Sequence, residues 1–150
     1  MLKDFYQYLT NLGISAKSHK NYRSDLNHFS LWFIQKVRLL GSAVESFSEA
    51  IPFLNQEAAG DYKKYMSKNN IPVKTVNRRL STLRHLSRFL VSSEIINFDF
   101  MKGQTNITQA QDYSFEVINR FAKFLEKEKV SQSTGKNYLS DVRQLFQSLT

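Results

Sequence analysis

The chain has 150 residues, of which 41% are hydrophobic, and only five glycines and two prolines interrupt it. This apolar fraction is enough for a packed core and excludes global disorder, and the scarcity of Gly and Pro favours long helices over a turn-rich sandwich. Lys and Arg outnumber Asp and Glu by 21 to 13, a formal net charge of +8, which is common in nucleic-acid binders and also occurs in basic membrane-surface proteins.

Few residues in the chain could carry metal or redox chemistry. The absence of cysteine excludes disulfides, thiol catalysis and thiolate metal sites. The histidines, His19, His28 and His85, include no pair spaced by four, so we expect neither a metal site nor a cofactor. No apolar run approaches the length of a membrane span, and the amphipathic N-terminus is unlike a signal peptide, so we expect a cytoplasmic protein without a membrane partner.

Apolar residues spaced by three and four predict an all-α chain whose first part is a compact bundle of about four helices. Gly13 ends the first helix, and Ser15 is the expected N-cap of the second. The third helix is the least regular, with Gly60 as its weak point. The four predicted helices span about 2–12, 15–39, 49–69 and 73–93.

The sequence changes character after the fourth predicted helix. Residues 1–98 are expected to form one domain, the polar stretch 99–113 a linker, and residues 114–150 a further helix pair, with helices at 114–129 and 131–149. This pair resembles the first two helices when the sequence is shifted by 116 positions, which predicts that it is the first half of a second domain of the same kind. The matched residues are Phe5 and Phe121, Leu9 and Leu125, Ser15 and Ser131, Asn21-Tyr22 and Asn137-Tyr138, and Ser24-Asp25 and Ser140-Asp141.

Positive charge is concentrated on particular helices. Residues 71–93 carry five basic side chains and no acid, whereas residues 44–61 carry four acids and no base. At 100° per residue, the faces opposite the apolar stripes of the second and fourth helices mix long cations with hydroxyl and amide groups, which are the side chains that contact phosphates and base edges. The alternative is an ordinary solvated surface. The residues on or at the edge of these faces are Lys17, Lys20, Asn21, Ser24, Asn27, Lys74, Arg78, Ser81 and His85. Tyr22 and Tyr138 are expected to face the core.

Two segments carry a family resemblance. FYQYLTNLGISAKSHKNYRSDLNHFSLWF and IPVKTVNRRLSTLRHLSRFLVSSEII resemble the N-terminal core-binding, or SAM-like, domain of tyrosine recombinases of the phage-integrase and Xer type. The resemblance covers roughly residues 2–97. It implies a helical bundle that lays its second and fourth helices on the major groove of double-stranded DNA, and it adds Ser18 and Thr75 to the expected DNA contacts. The matching residues are Ser15, Ser18, Tyr22, Asp25, Leu26 and Phe29 in the first block, and Lys74, Thr75, Asn77, Arg78, Leu80, Ser81, Leu83, Arg84, Phe89 and Leu90 in the second.

The resemblance does not extend to the catalytic residues of that family, which lie in a separate C-terminal domain. His85 and Arg88 match an H-x-x-R pair in spacing only, and no Tyr nucleophile motif or phosphate-binding loop follows them. We therefore expect a DNA-binding part of a site-specific recombinase that does not cut DNA by itself and has no small-molecule substrate. The alternatives are self-association through residues 114–150, and a helical protein-binding or membrane-surface adaptor that uses the basic face.

Overall fold

A computed structural model describes residues 1–148, except that only the backbone is described for residues 109–115. All regular structure in this range is helical, so the predicted all-α class is confirmed. The chain forms two compact units, Met1–Asn106 and Ile107–Thr150. None of the described helices is both long and apolar enough to cross a bilayer. The helices are α1 (Leu2–Asn11), α2 (Ala16–Leu39), α3 (Phe47–Ala50), α4 (Gln56–Lys68), α5 (Val73–Ser92), α6 (Gln109–Lys127) and α7 (Gln132–Ser148).

The turn between α1 and α2 forms as the sequence predicts. Gly13 has a φ of 79°, and the N–H of Ile14 donates to the carbonyl of Leu9 in a bond that ends the helix. Ser15 is the N-cap of α2, because its hydroxyl accepts from the N–H of Ser18. Gly and Ser thus fix where α1 ends and where α2 begins.

The prediction of a single helix over 49–69 is wrong. A short helix, α3, runs into a 3₁₀ turn at Ile51–Phe53, and α4 begins only at Gln56. The break is local chemistry, because the Asn55 side chain accepts from the N–H groups of Glu57 and Ala58 and so starts a new helix. Gly60, the expected weak point, lies inside α4.

The core of the first unit is centred on α2 and α5. These two helices pack on each other, and each also contacts α1 and α4. Tyr22 lies beside His85, whereas Asp25 lies beside Arg78 and Thr82, so the helices run antiparallel. The largest fully buried side chains are Tyr62, Phe5, Phe29, Phe33, Phe100, Leu9, Leu26, Met66, Leu80, Leu83, Leu86 and Leu90.

The first unit extends beyond the boundary expected from the sequence. Phe100 and Met101 are buried, within the stretch 99–113 expected to be a linker. Asp99 holds this turn in place by accepting from the Ser87 hydroxyl and from the Met101 N–H. Because polar residues surround Phe100 and Met101 in the sequence, the sequence pattern does not predict that they are part of the core. The side chains of 109–115 and residues 149–150 lie outside the description.

The second unit is a helix pair whose connecting turn reproduces the turn between the first two helices. α6 ends at Lys127 and α7 begins at Gln132, each 116 positions after the corresponding end of α1 and start of α2. Lys129 has a φ of 55° at the position of Gly13, and the Ser131 hydroxyl accepts from the Thr134 N–H as Ser15 does from Ser18. Tyr138, expected to face the core, is exposed, since no described helix covers that face of α7.

Candidate nucleic-acid interface

The predicted contact residues lie on α2 and α5, which pack on each other along a seam. Lys20 and Ser24 lie on the part of α2 that lines a groove with Leu2 and Tyr6 of α1. On α2, Lys17, Lys20, Asn21 and Ser24 are exposed. Ser18 is half-buried, and its hydroxyl lies 3.0 Å from that of Ser15, so part of its bonding capacity is used in the helix cap. The α2 residues thus offer exposed cations, an amide and a hydroxyl.

The predicted contact residues on α5 differ from one another in how exposed they are. Lys74 is exposed, and Thr75 and Ser81 are half-buried. His85 does not project outward as the helical wheel predicts. Its ring packs edge-on against Tyr22 at 5.6 Å, and its Nδ1 is buried without a hydrogen-bond partner. Burial, and after it the charge of Arg88, lowers the pKa of His85.

A buried carboxylate joins the two helices. Asp25 on α2 is 1% exposed, and its oxygens accept from Arg78 Nε at 3.1 Å and Nη2 at 2.7 Å. The Thr82 hydroxyl donates to the same group at 3.0 Å, and Arg79 Nε lies 3.6 Å away. A buried charge is tolerated only when it is paired and hydrogen-bonded, and these contacts supply both conditions. The hydrogen bond to Asp25 also raises the pKa of Arg78.

The second arginine continues this network towards α4. Arg79 Nη1 lies 3.3 Å from His28 Nε2, and His28 Nδ1 lies 2.6 Å from the Tyr62 hydroxyl. Because a guanidinium only donates, Nε2 accepts, and the proton of the neutral ring is on Nδ1, facing Tyr62. Burial, and then the charge of Arg79, lowers the pKa of His28, which favours this neutral form.

The five basic residues of α5 fall into two groups, those that bind other residues of the chain and those that are exposed to solvent. Arg78 and Arg79 bind Asp25, and Arg84 donates to the carbonyl of Gln104 and the side chain of Asn106. Lys74 and Arg88 are exposed. The acid-free stretch read from the sequence therefore receives its counter-charge from α2, a contact between residues 53 positions apart.

Sequence reasoning missed the roles of Asp25 and Arg79. Asp25 was placed in the family pattern without a partner, and Arg79 was not among the site residues. A signal was present, because Asp25 is the single acid in α2 and directly precedes the core residue Leu26. An acid beside an apolar stripe indicates a buried partner on the neighbouring helix.

The described side chains form no cluster of three or more His, Asp or Glu able to hold a metal ion. His85 and Arg88, the H-x-x-R pair, lie on α5 at the seam. With its Nδ1 buried and its ring against Tyr22, His85 packs as a structural side chain.

Comparison with known proteins identifies the family to which the first unit belongs. No curated protein and no solved structure matches the chain. Residues 2–94 match the family described as phage integrase, N-terminal SAM-like domain, and this match spans α1 to α5, including both helices of the seam. The chain therefore belongs to the phage integrase N-terminal SAM-like domain family, and its role is related to integrases and recombinases.

Proposed function

We propose that this chain binds double-stranded DNA in a sequence-specific way as the N-terminal part of a site-specific tyrosine recombinase. The α2–α5 seam is the binding surface, and a catalytic domain supplied elsewhere cleaves the DNA. The observation that carries the proposal is the distribution of exposed cations along α2 and α5, on a chain of the integrase family.

The open cations lie at the two ends of the seam. Because α2 and α5 are antiparallel, Lys17 and Lys20 at the start of α2 lie level with the later part of α5, and Lys74 lies at the opposite end. At 1.5 Å per residue the two ends are roughly 20 Å apart along the helix axes. The major groove of B-DNA is about 12 Å wide, so lysines at this spacing reach phosphates on both sides of it.

The middle of the seam carries the groups suited to base edges. Ser24, Arg78 and Ser81 lie between the two lysine ends, and their hydroxyl and guanidinium groups are directional donors. Phosphate contacts fix position, and base contacts specify sequence. The order of residues along the seam supports both tasks at one surface.

Charge reversal on the seam tests the proposal. We expect Lys20→Glu with Lys74→Glu to lower affinity for duplex DNA by more than tenfold, because two phosphate contacts become repulsive. The control is Lys64→Glu with Lys68→Glu, which changes net charge equally on exposed positions of α4. Binding is measured by fluorescence anisotropy. An equal loss of affinity in both variants would show that binding depends on net charge and not on these positions, and it would contradict the proposal.

A second candidate function, self-association, is favoured by the open face of the second unit. Leu145 corresponds to the fully buried Phe29, yet it is 58% exposed. Phe124 corresponds to Tyr8, which packs 5.5 Å from Phe89 of α5, yet Phe124 is 54% exposed. The face that α3, α4 and α5 cover in the first unit is therefore uncovered among the described residues of the second, and we propose that a second copy of the chain covers it.

Sedimentation velocity of the full chain tests this second function. We expect the wild type to form dimers, and Phe124→Lys with Leu145→Lys to sediment as a monomer, because two charges would enter the apolar contact. The matched control, Gln132→Lys with Gln144→Lys, adds the same charge at other exposed positions. A wild type that remains monomeric at high concentration would reject self-association.

A further inference from the structure

The guanidinium of Arg78 is held by one edge only. Nε and Nη2 donate to the two oxygens of Asp25 in a side-on fork, at 3.1 and 2.7 Å. The acceptor is 1% exposed, whereas the Arg78 side chain is 43% exposed. The carboxylate thus anchors the arginine from the interior while the outer part of the group faces solvent.

The other edge of the guanidinium keeps a second pair of parallel donors. A guanidinium has five N–H groups in a fixed planar arrangement, and the side-on fork uses one on Nε and one on Nη2. One N–H on Nη1 and the second on Nη2 point together along the neighbouring, end-on edge. Both side-chain hydrogen bonds of Arg78 within the described residues go to Asp25, so this edge is left to an outside acceptor.

Two kinds of acceptor on DNA fit such a fork, a phosphate and the O6 and N7 atoms of guanine. The charge balance favours guanine. Asp25 already offsets the charge of Arg78, so its net attraction for a phosphate is weaker than that of Lys20 or Lys74. A neutral base edge requires directional donors rather than net charge, and the anchored fork keeps its directions. Arg78 also lies in the middle of the seam, between the lysine ends.

We propose that Arg78, anchored by Asp25, recognises a guanine base through O6 and N7 in the major groove. This inference rests on the proposed DNA-binding function. Asp25 is a positioning residue, because it fixes the plane of the guanidinium before DNA arrives and so reduces the side-chain entropy lost on binding.

The experiment first selects duplexes from a randomised library with the wild-type chain and sequences the bound pool. We expect one position that is almost always guanine. In the selected duplex, that guanine is replaced by 7-deazaguanine, which lacks N7 and leaves base pairing and the protein unchanged. Affinity of the wild type should fall about tenfold, the loss of one arm of a bidentate contact.

Three variants then assign the effect to the proposed pair. Arg78→Lys keeps a cation beside Asp25 but removes the fork, so the deaza substitution should cost it less than twofold. Arg143→Lys, the same change at an exposed position of α7, should retain the tenfold cost. Asp25→Asn should lose discrimination between guanine and 7-deazaguanine, while the salt dependence of its binding stays as steep as that of the wild type.

The possible results separate this inference from the proposed function. Salt-dependent duplex binding with no guanine position, or an equal deaza cost in the wild type and in Arg78→Lys, would overturn the inference and leave the binding function in place. A uniform loss of affinity on all sequences in Arg78→Lys would assign Arg78 to phosphate and also overturn it. Absence of binding to any duplex at low salt would overturn the proposed function itself.

Discussion

At the scale of single residues, Asp25 organises the candidate site. Its position could be predicted from the sequence, because the spacing of Tyr22, Asp25 and Phe29 fits both the helix and the family pattern. The identity of its partners, Arg78 and Thr82, could not, because a helical wheel describes one helix and does not show which residue more than 50 positions away it meets. The same limitation explains His85, which was placed outward although Tyr22 of the neighbouring helix covers it.

The histidines predict how stability depends on pH. The groups facing His28 are Arg79 of α5, Asp25 of α2, and Tyr62 and Tyr65 of α4. Burial, with Arg79 second, lowers the pKa of His28 below its ordinary value of 6.5, so the folded chain binds fewer protons than the unfolded chain as pH falls through this range. The pKa of His85 is lowered in the same direction. These two histidines therefore leave the free energy of unfolding unchanged above about pH 6.5 and lower it as pH falls below that value.

Urea unfolding at about pH 7.5 and pH 5.5 measures this dependence. We expect the wild type to be less stable at the lower pH, and the double variant His28→Gln, His85→Gln to lose most of the difference. Wild-type stability that is equal or greater at the lower pH would contradict the arrangement of His28 against Arg79.

At the scale of elements, the helices end in a shared way. Gly13, Asn70, Glu94 and Lys129 each have a positive φ, and the next N–H in each case bonds to a carbonyl five residues back. Gly13 was a predictable stop, because glycine adopts this conformation without strain. Glu94 and Lys129 were not, because non-glycine residues disfavour this conformation and their presence in the sequence does not mark a helix end.

Replacement of Glu94 by glycine tests the strain at the end of α5. We expect Glu94→Gly to raise the free energy of unfolding by about 0.5–1 kcal/mol, since the left-handed conformation costs an L-residue more than glycine loses in chain entropy. Gly13→Ala is the matched control and should lower it by about 1 kcal/mol, although no atom lies within 4 Å of the added Cβ. Denaturant unfolding gives both values. A destabilised Glu94→Gly would show that its side chain contributes more than its backbone strain costs.

At the scale of the whole molecule, the helical fold and the turn shared by the two helix pairs could be predicted from the sequence, because both depend on local periodicity and caps. The break at Asn55 was harder to predict, since an apolar stripe continues across it, and the burial of Phe100 depends on a cavity that only the assembled helices create. The charge of +8 indicated a class of partner, and the structure shows which cations remain open to meet it. These exposed cations are the basis for the proposed binding of DNA by α2 and α5.

The salt dependence of duplex binding by the full chain tests this central proposal most directly. If about six phosphates are contacted, affinity should fall on the order of a thousandfold between roughly 50 and 200 mM salt. The measurement is the dissociation constant by fluorescence anisotropy across that range, with the charge-reversed variant Lys20→Glu, Lys74→Glu giving a shallower slope. Affinity that does not change with salt, or no binding at the lowest concentration, would contradict the account.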